Sequence, residues 1–314
     1  MQTCCAFINN DSNALIPKIY KMNSSLLRRF FLPAFLFAIL FIACDPNDEE
    51  GIPSYIQIEQ IDLVTLPGQG TASHNITDAW VYIDDKLIGA FELPVTFPVL
   101  KTGEQEVVVY AGIKINGISA TRAPYPFFDP FIANVRLSQG NTTKIENVLV
   151  NYGSNTTFSW MEDFNGGAVS IDTTSASETR LLKISDPELV FSHPGEHNPF
   201  SAMASITGDQ LRFECATLNN FDLPKDGRPV FLEMHYKNDY NLTVGLMIVL
   251  QGQPIQHPIL VLNPSVEWNK IYINLTHTLS NFYQSNDFRV FLGFVKSPDT
   301  ETATIYFDHF KLIH

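Results

Sequence analysis

Phe231-Leu232-Glu233-Met234-His235-Tyr236-Lys237 and Thr243-Val244-Gly245-Leu246-Met247-Ile248-Val249-Leu250 stand on either side of Asn238-Asp239-Tyr240-Asn241. Both runs have strand length and are rich in β-branched and aromatic residues, while the four residues between them are polar turn formers. The spacing predicts two strands meeting at a hairpin, with Tyr240 at its tip. The same punctuation recurs outward in both directions. Helical periodicity is nearly absent beyond residue 52, and Pro or Gly interrupts nearly every decade. The chain therefore reads as all-β, with enough residues for two β-sandwich domains.

The first sandwich is expected over 53–152. Ala79-Trp80-Val81-Tyr82-Ile83, the turn Asp84-Asp85-Lys86, and Leu87-Ile88-Gly89-Ala90-Phe91 form a hairpin pattern. Val107-Val108-Val109 reads as a buried strand, Asn116-Gly117 as a turn, and Val135-Arg136-Leu137 with Thr143 to Val150 as closing strands. The run from Val81 through Pro94, with Gly103-Glu104-Gln105-Glu106-Val107 after it, is similar to PEGA-type sandwich domains of bacterial envelope proteins. Tyr125-Pro126-Phe127-Phe128-Asp129-Pro130-Phe131 is an aromatic–proline loop. It reads as a plug for one end of the sandwich or for the seam between domains, since prolines this dense order a loop without a ligand.

A linker at 153–157 leads to a second sandwich over 158–314. Phe158 to Phe164 opens it, Trp268-Asn269-Lys270-Ile271-Tyr272-Ile273-Asn274-Leu275 lies within it, and Thr304 to Ile313 closes it. The last two strands resemble those of galactose-binding-like jelly rolls, including carbohydrate-binding modules. That resemblance implies a jelly roll, a glycan or envelope ligand, and a structural calcium held by Asp308 of the last strand with Glu162 or Asp163 of the first. Sugar recognition needs exposed rings beside hydrogen-bonding groups, and Tyr240 and Tyr283 are the candidates for it. Trp268, at the start of a strand, reads as core.

Upstream, Arg28-Arg29 precede an apolar run, Phe30 to Ala43, that ends at Cys44. A cationic segment, a short apolar segment and a small residue before cysteine make a secretory signal too short to span a bilayer. Cys44 resembles the lipobox cysteine of bacterial lipoproteins, which implies lipidation there and a membrane anchor. Residues 1–43 are the expected signal peptide, with 1–21 ahead of a second start at Met22. Residues 44–52 are an acidic tether whose Asp45, Asp48, Glu49 and Glu50 resemble the export signal of Bacteroidetes surface lipoproteins. The expected location is the outer membrane, facing outward.

Residues 1–43 hold one acid (Asp11) and four bases (Lys18, Lys21, Arg28, Arg29), so their removal takes the formal net charge from −13 to −16. That balance excludes nucleic acid and docking on anionic headgroups. Only Cys44 and Cys215 would remain; Cys215 alternates with Leu211 and Phe213 and reads as a small core residue. His193-Pro194-Gly195-Glu196-His197 spells an inverted zinc-protease motif, but Pro-Gly inside it breaks the helix the ligands need, so it reads as a loop. No catalytic constellation emerges. The expected function is a non-catalytic surface lipoprotein binding glycan or another envelope component, or otherwise a structural subunit of an outer-membrane assembly.

Overall fold

The computed structural model describes residues 51–314; residues 1–43, expected from the sequence to be a signal peptide, Cys44 and the acidic residues Asp45 to Glu50 lie outside the described residues. Residues 52–314 form one compact unit. It is built from strands, with a single short helix, α1 (Thr276–Asn281), among the described residues. No described helix is long and apolar enough to cross a membrane.

The N-terminal sandwich packs three sheets around one core. The strands β1 (Ser54–Ile58), β5 (Val95–Val99) and β9 (Thr142–Ile145) form one sheet; β2 (Asp62–Val64) and β10 (Leu149–Asn151) form a small parallel pair. Facing them, β3 (Asp78–Ile83), β4 (Lys86–Glu92), β6 (Gly103–Lys114), β7 (Arg122–Pro124) and β8 (Phe131–Leu137) make a five-stranded sheet. Alternation places Val81, Ile83, Val107, Val109 and Ile113 inward, against Ile56, Ile58 and Phe97. The β3–β4 hairpin forms as expected. Asp84 and Asp85 both take positive φ, the twist a two-residue hairpin loop requires. Asn116 and Gly117 do likewise.

The C-terminal jelly roll packs two sheets face to face. One contains β13 (Leu182–Ile184), β14 (Ser201–Thr207), β16 (Phe231–Asn238), β19 (Ser265–Asn274) and β21 (Thr302–Ile313), with β11 (Phe158–Glu162) also paired to β21. The other runs β12 (Ile171–Thr173), β15 (Arg212–Thr217), β20 (Phe288–Val295), β17 (Leu242–Leu250), β18 (Gln253–Leu262). The hairpin expected around Tyr240 does not form. β16 pairs with β19 and β21, whereas β17 pairs with β18 and β20. Both strands carry buried faces that one two-stranded ribbon could not cover, so the turn at 239–241 carries the chain from one sheet to the other.

The sandwiches meet along the outer face of the first jelly-roll sheet. Phe231, Tyr272 and Ile313, which point away from the jelly-roll core, join the N-terminal cluster beside Tyr125, Phe127, Phe128 and Tyr152. The aromatic–proline loop is thus the seam plug, Tyr125 and Phe127 packing edge-to-face on Phe231 and Tyr125 tilted against Tyr272. Beneath it lies buried charge. Glu233 Oε2 pairs with Lys270 Nζ at 2.6 Å, and its oxygens accept the hydroxyls of Tyr125 (2.8 Å) and Tyr152 (2.9 and 3.0 Å). Lys311 Nζ donates to Tyr152 Oη and to Thr71 O, and Lys270 Nζ to Ser73 O. Burial would raise the Glu233 carboxyl, but Lys270 and Lys311 outweigh it and hold it below its ordinary value. Burial, with Lys270 adding to it, drops the Lys311 ammonium to about 7.

Candidate functional site

On β20, Phe288, Val290, Leu292 and Phe294 face the jelly-roll core, so Arg289, Phe291, Gly293 and Val295 face outward. The same parity turns Arg212 and Glu214 of β15 and Thr243, Gly245 and Met247 of β17 outward. Register aligns Glu214, Gly293 and Thr243 in one row and Ala216, Phe291, Gly245 and Pro258 in the next.

Two glycines shape this face. A Cβ on Gly245 would sit 2.4 Å from His257 O and 2.6 Å from the Phe291 ring; one on Gly293 would sit 2.8 Å from Phe213 O. Gly245 thus leaves β17 bare where the Phe291 ring settles, and Gly293 lets β20 approach β15 closely. Above them lies a cleft of about 200 Å³ lined by Arg212, Glu214, Thr243, Gln256, Pro258 and Phe291. Glu214 is buried, its Oε1 accepting Thr174 Oγ1 at 2.6 Å and its Oε2 accepting Gln256 Nε2 at 2.8 Å. Arg289 is anchored through Nε on Thr217 O, while Arg212 and Gln256 are exposed. An apolar floor bordered by the exposed Arg212 and by the hydrogen-bonded Glu214–Gln256 pair matches a ligand with both C–H faces and hydroxyls.

The expected sugar-binding rings lie elsewhere. Tyr240 is half-buried; its ring packs on Phe294, 5.5 Å between centroids, and its hydroxyl accepts the Ser297 N–H. Tyr283 is exposed on the turn after α1. Trp268 is not core: it stands half-buried on the outer face of the first sheet, edge-on to Phe191. Nothing in the sequence flagged Arg212, Gln256 or Phe291. The alternation in 288–295 was the available signal, and it became usable only once the parity of the core was known.

The acids assigned to calcium have other partners. β11 and β21 pair directly, Glu162 opposite Phe310, so the first and last strands of the jelly roll are joined by backbone hydrogen bonds. Glu162 accepts Phe164 N–H at 2.8 Å, Ser170 N–H at 2.6 Å and Ser170 Oγ at 2.5 Å. Asp163 accepts the Asn165 N–H. Asp308 is fully buried at the junction where β14 gives way to β11 along β21, and accepts Ser201 Oγ, Asn198 Nδ2 (2.7 Å) and the His309 N–H (2.7 Å). Burial lifts its carboxyl to about 7 and depresses the adjoining His309 to about 4. Among the described residues no group of three or more His, Cys, Asp or Glu is placed to hold a metal ion. His193 to His197 is a loop, with Gly195 at positive φ and Glu196 accepting the Ala72 N–H. Cys215 is fully buried in the jelly-roll core, and burial pushes its thiol up.

No family model matches the chain, and no curated protein does. Solved structures resemble about half of it. A family 30 carbohydrate-binding module of a cellulosomal cellulase of Clostridium thermocellum shares 15% identity over 52% of this chain and 94% of that one, with a TM-score of 0.33. A family 11 module of a second cellulosomal cellulase of the same organism shares 12% over 49% and 92%, TM-score 0.33. An exo-beta-agarase shares 9%, TM-score 0.34, and the match spans a quarter of its length.

Proposed function

We propose that this protein is a non-catalytic, lipid-anchored surface protein that binds glycan on the outer face of the β12–β15–β20–β17–β18 sheet. The observation that carries the reading is the cleft in which the Phe291 ring lies over Gly245, bordered by exposed Arg212 and Gln256 and by the anchored Glu214. Its carboxylate is committed to two neighbours, which suits holding a ligand and not transferring a proton. Lipidation at Cys44 would tether the chain to the outer membrane, with the acidic stretch through residue 52 as spacer.

A glycan array probed with the chain from residue 44, carrying Cys44→Ser, tests the site. Saturable binding that weakens at least tenfold in Arg212→Ala and Gln256→Ala supports it. Binding that survives both and is lost in Tyr283→Ala moves the site to the α1 turn. Absence of any binding favours the second reading, a structural spacer, for which the rigid charged seam between the sandwiches speaks. Cys44→Ser in the full chain should abolish incorporation of labelled fatty acid; continued incorporation refutes the anchor.

A further inference from the structure

On the N-terminal sandwich, the outward side of the five-stranded sheet carries rings where solvated polar residues are the norm for a half-buried sheet. Trp80 and Tyr82 of β3 and Tyr110 of β6 share this face, Trp80 directly opposite Tyr110. All three are half-buried, and Leu87 and Ile132, at the flanks, are 49% and 57% exposed. Tyr82 and Tyr110 meet edge-to-face with centroids 5.5 Å apart. Gly112 shapes the patch: a Cβ there would lie 2.9 Å from both Cδ1 and Nε1 of Trp80. The bare backbone lets the indole lean over β6, with its N–H edge down, buried and without an acceptor. A ring leaning along a sheet turns a face outward, and that face is what the surface offers.

Beside the rings, from the row of Glu92, Asp78 and Gly112 to the next row of Lys114 and Arg122, runs a polar edge. Arg122 donates to Asp78 and to Glu92, the latter at 3.2 Å, and Lys114 stands 3.9 Å from Glu92. Asp78 is buried, while Glu92 is 63% exposed in its side chain. The two cations and two carboxylates of this edge balance, so it offers hydrogen bonds without net charge. The chain as a whole carries −13, which repels both a second copy and a polyanion.

We infer that the Trp80–Tyr82–Tyr110 face is a second ligand-binding surface, for a neutral polysaccharide whose sugar rings stack on the aromatic faces and whose hydroxyls meet Arg122 and Glu92. Each component has a physical role. Tyr and Trp supply apolar area at low entropic cost, with polar tips at the margin. Residues two apart along β3 stand about 6.6 Å from one another, so the platform extends over more than one sugar ring. The surface stands independently of the jelly-roll cleft.

Affinity electrophoresis of the Cys44→Ser chain in gels containing laminarin, xyloglucan, galactomannan or arabinoxylan tests this. The starting protein also carries Arg212→Ala and Gln256→Ala, so that binding through the jelly roll does not contribute. Retardation by at least one of these polymers, weakened at least tenfold by Trp80→Ala and by Tyr110→Ala and partly restored in Trp80→Phe, is expected. Gly112→Ala keeps every aromatic residue but displaces the Trp80 indole, and should weaken retardation as well. Matching far-UV circular dichroism and melting midpoints guard against loss of fold. No retardation in any of the four gels overturns the inference, as does retardation indifferent to Trp80 and Tyr110. A dimer in sedimentation that Trp80→Ala dissociates would assign the face to a second copy and also overturn it.

Discussion

Removing the carboxylate of Glu233 should uncouple the two sandwiches. The side chain is wholly buried, paired with Lys270 and hydrogen-bonded by Tyr125 and Tyr152. Glu233→Ala leaves the Lys270 ammonium, itself only 2% exposed, without its counter-ion, and strips two phenols of their acceptor. Breaking a buried pair from one side costs roughly 3–5 kcal/mol. Each orphaned hydroxyl would add about 1–3 kcal/mol taken singly, but groups that share one partner do not add, so the pair figure is the working value. Against a total stability of about 5–15 kcal/mol that is a large fraction. At about 2–4 °C per kcal/mol for a chain of this size, the midpoint should fall by roughly 6–20 °C. Glu233→Gln keeps an acceptor for the phenols and should recover part of the loss. Denaturant unfolding of the Cys44→Ser chain, followed by both tryptophan fluorescence and circular dichroism, measures it. The original should show one coincident transition and Glu233→Ala two. A loss below about 1 kcal/mol, with a single transition retained, would mean the seam is held by its apolar rings alone and would refute the electrostatic account.

Acid should weaken the fold through its buried histidines. His309 titrates near 4 when folded against an ordinary 6.5, because burial disfavours its charged form. Unfolded chains therefore bind a proton that folded ones refuse, and stability is lost as pH falls from about 6.5 to about 4, by at most roughly 3 kcal/mol. His235, also held well below its ordinary value by burial, acts in the same direction. Asp308 opposes them: lifted to about 7, it takes up its proton first in the folded state and adds stability as pH falls below 7. His309→Gln should flatten the dependence of melting midpoint on pH between 6 and 4.5, and unchanged slopes would contradict this. Calcium and chelator should give the same midpoint, since Asp308, Glu162 and Asp163 are satisfied by protein donors; a rise of several degrees with calcium would show that they rearrange to hold the ion. Gly245→Ala should cost about 1–3 kcal/mol, because the added Cβ meets both the His257 carbonyl of β18 and the Phe291 ring, and a neutral melt would show that strand and ring both give way.

The class of fold was legible in local chemistry. Period-two alternation and turn residues mark strands wherever a sheet has one buried face, and Asp84-Asp85 and Asn116-Gly117 announce left-handed turns because few other residues adopt them. The plug character of 125–131 and the burial of Cys215 followed in the same way, from residue type and spacing alone. Pairing did not. Phe231 to Lys237 and Thr243 to Leu250 read as neighbours across a turn, yet they belong to opposite sheets, because only the packed sandwich settles which strand satisfies which backbone edge. The same holds for the charges. Glu233, Lys270 and Lys311 sit 37 and 41 residues apart along the chain and carry no local sign of one another. Their meeting under Tyr125 and Tyr152 is a product of tertiary structure, as is the outward parity that exposes Arg212 and Gln256 beside Phe291 and turns Trp80 to solvent beside Tyr110. Sequence determines which residues can be strand, turn or core; which of the remaining side chains converge depends on long-range register, and that is decided only when the two layers close.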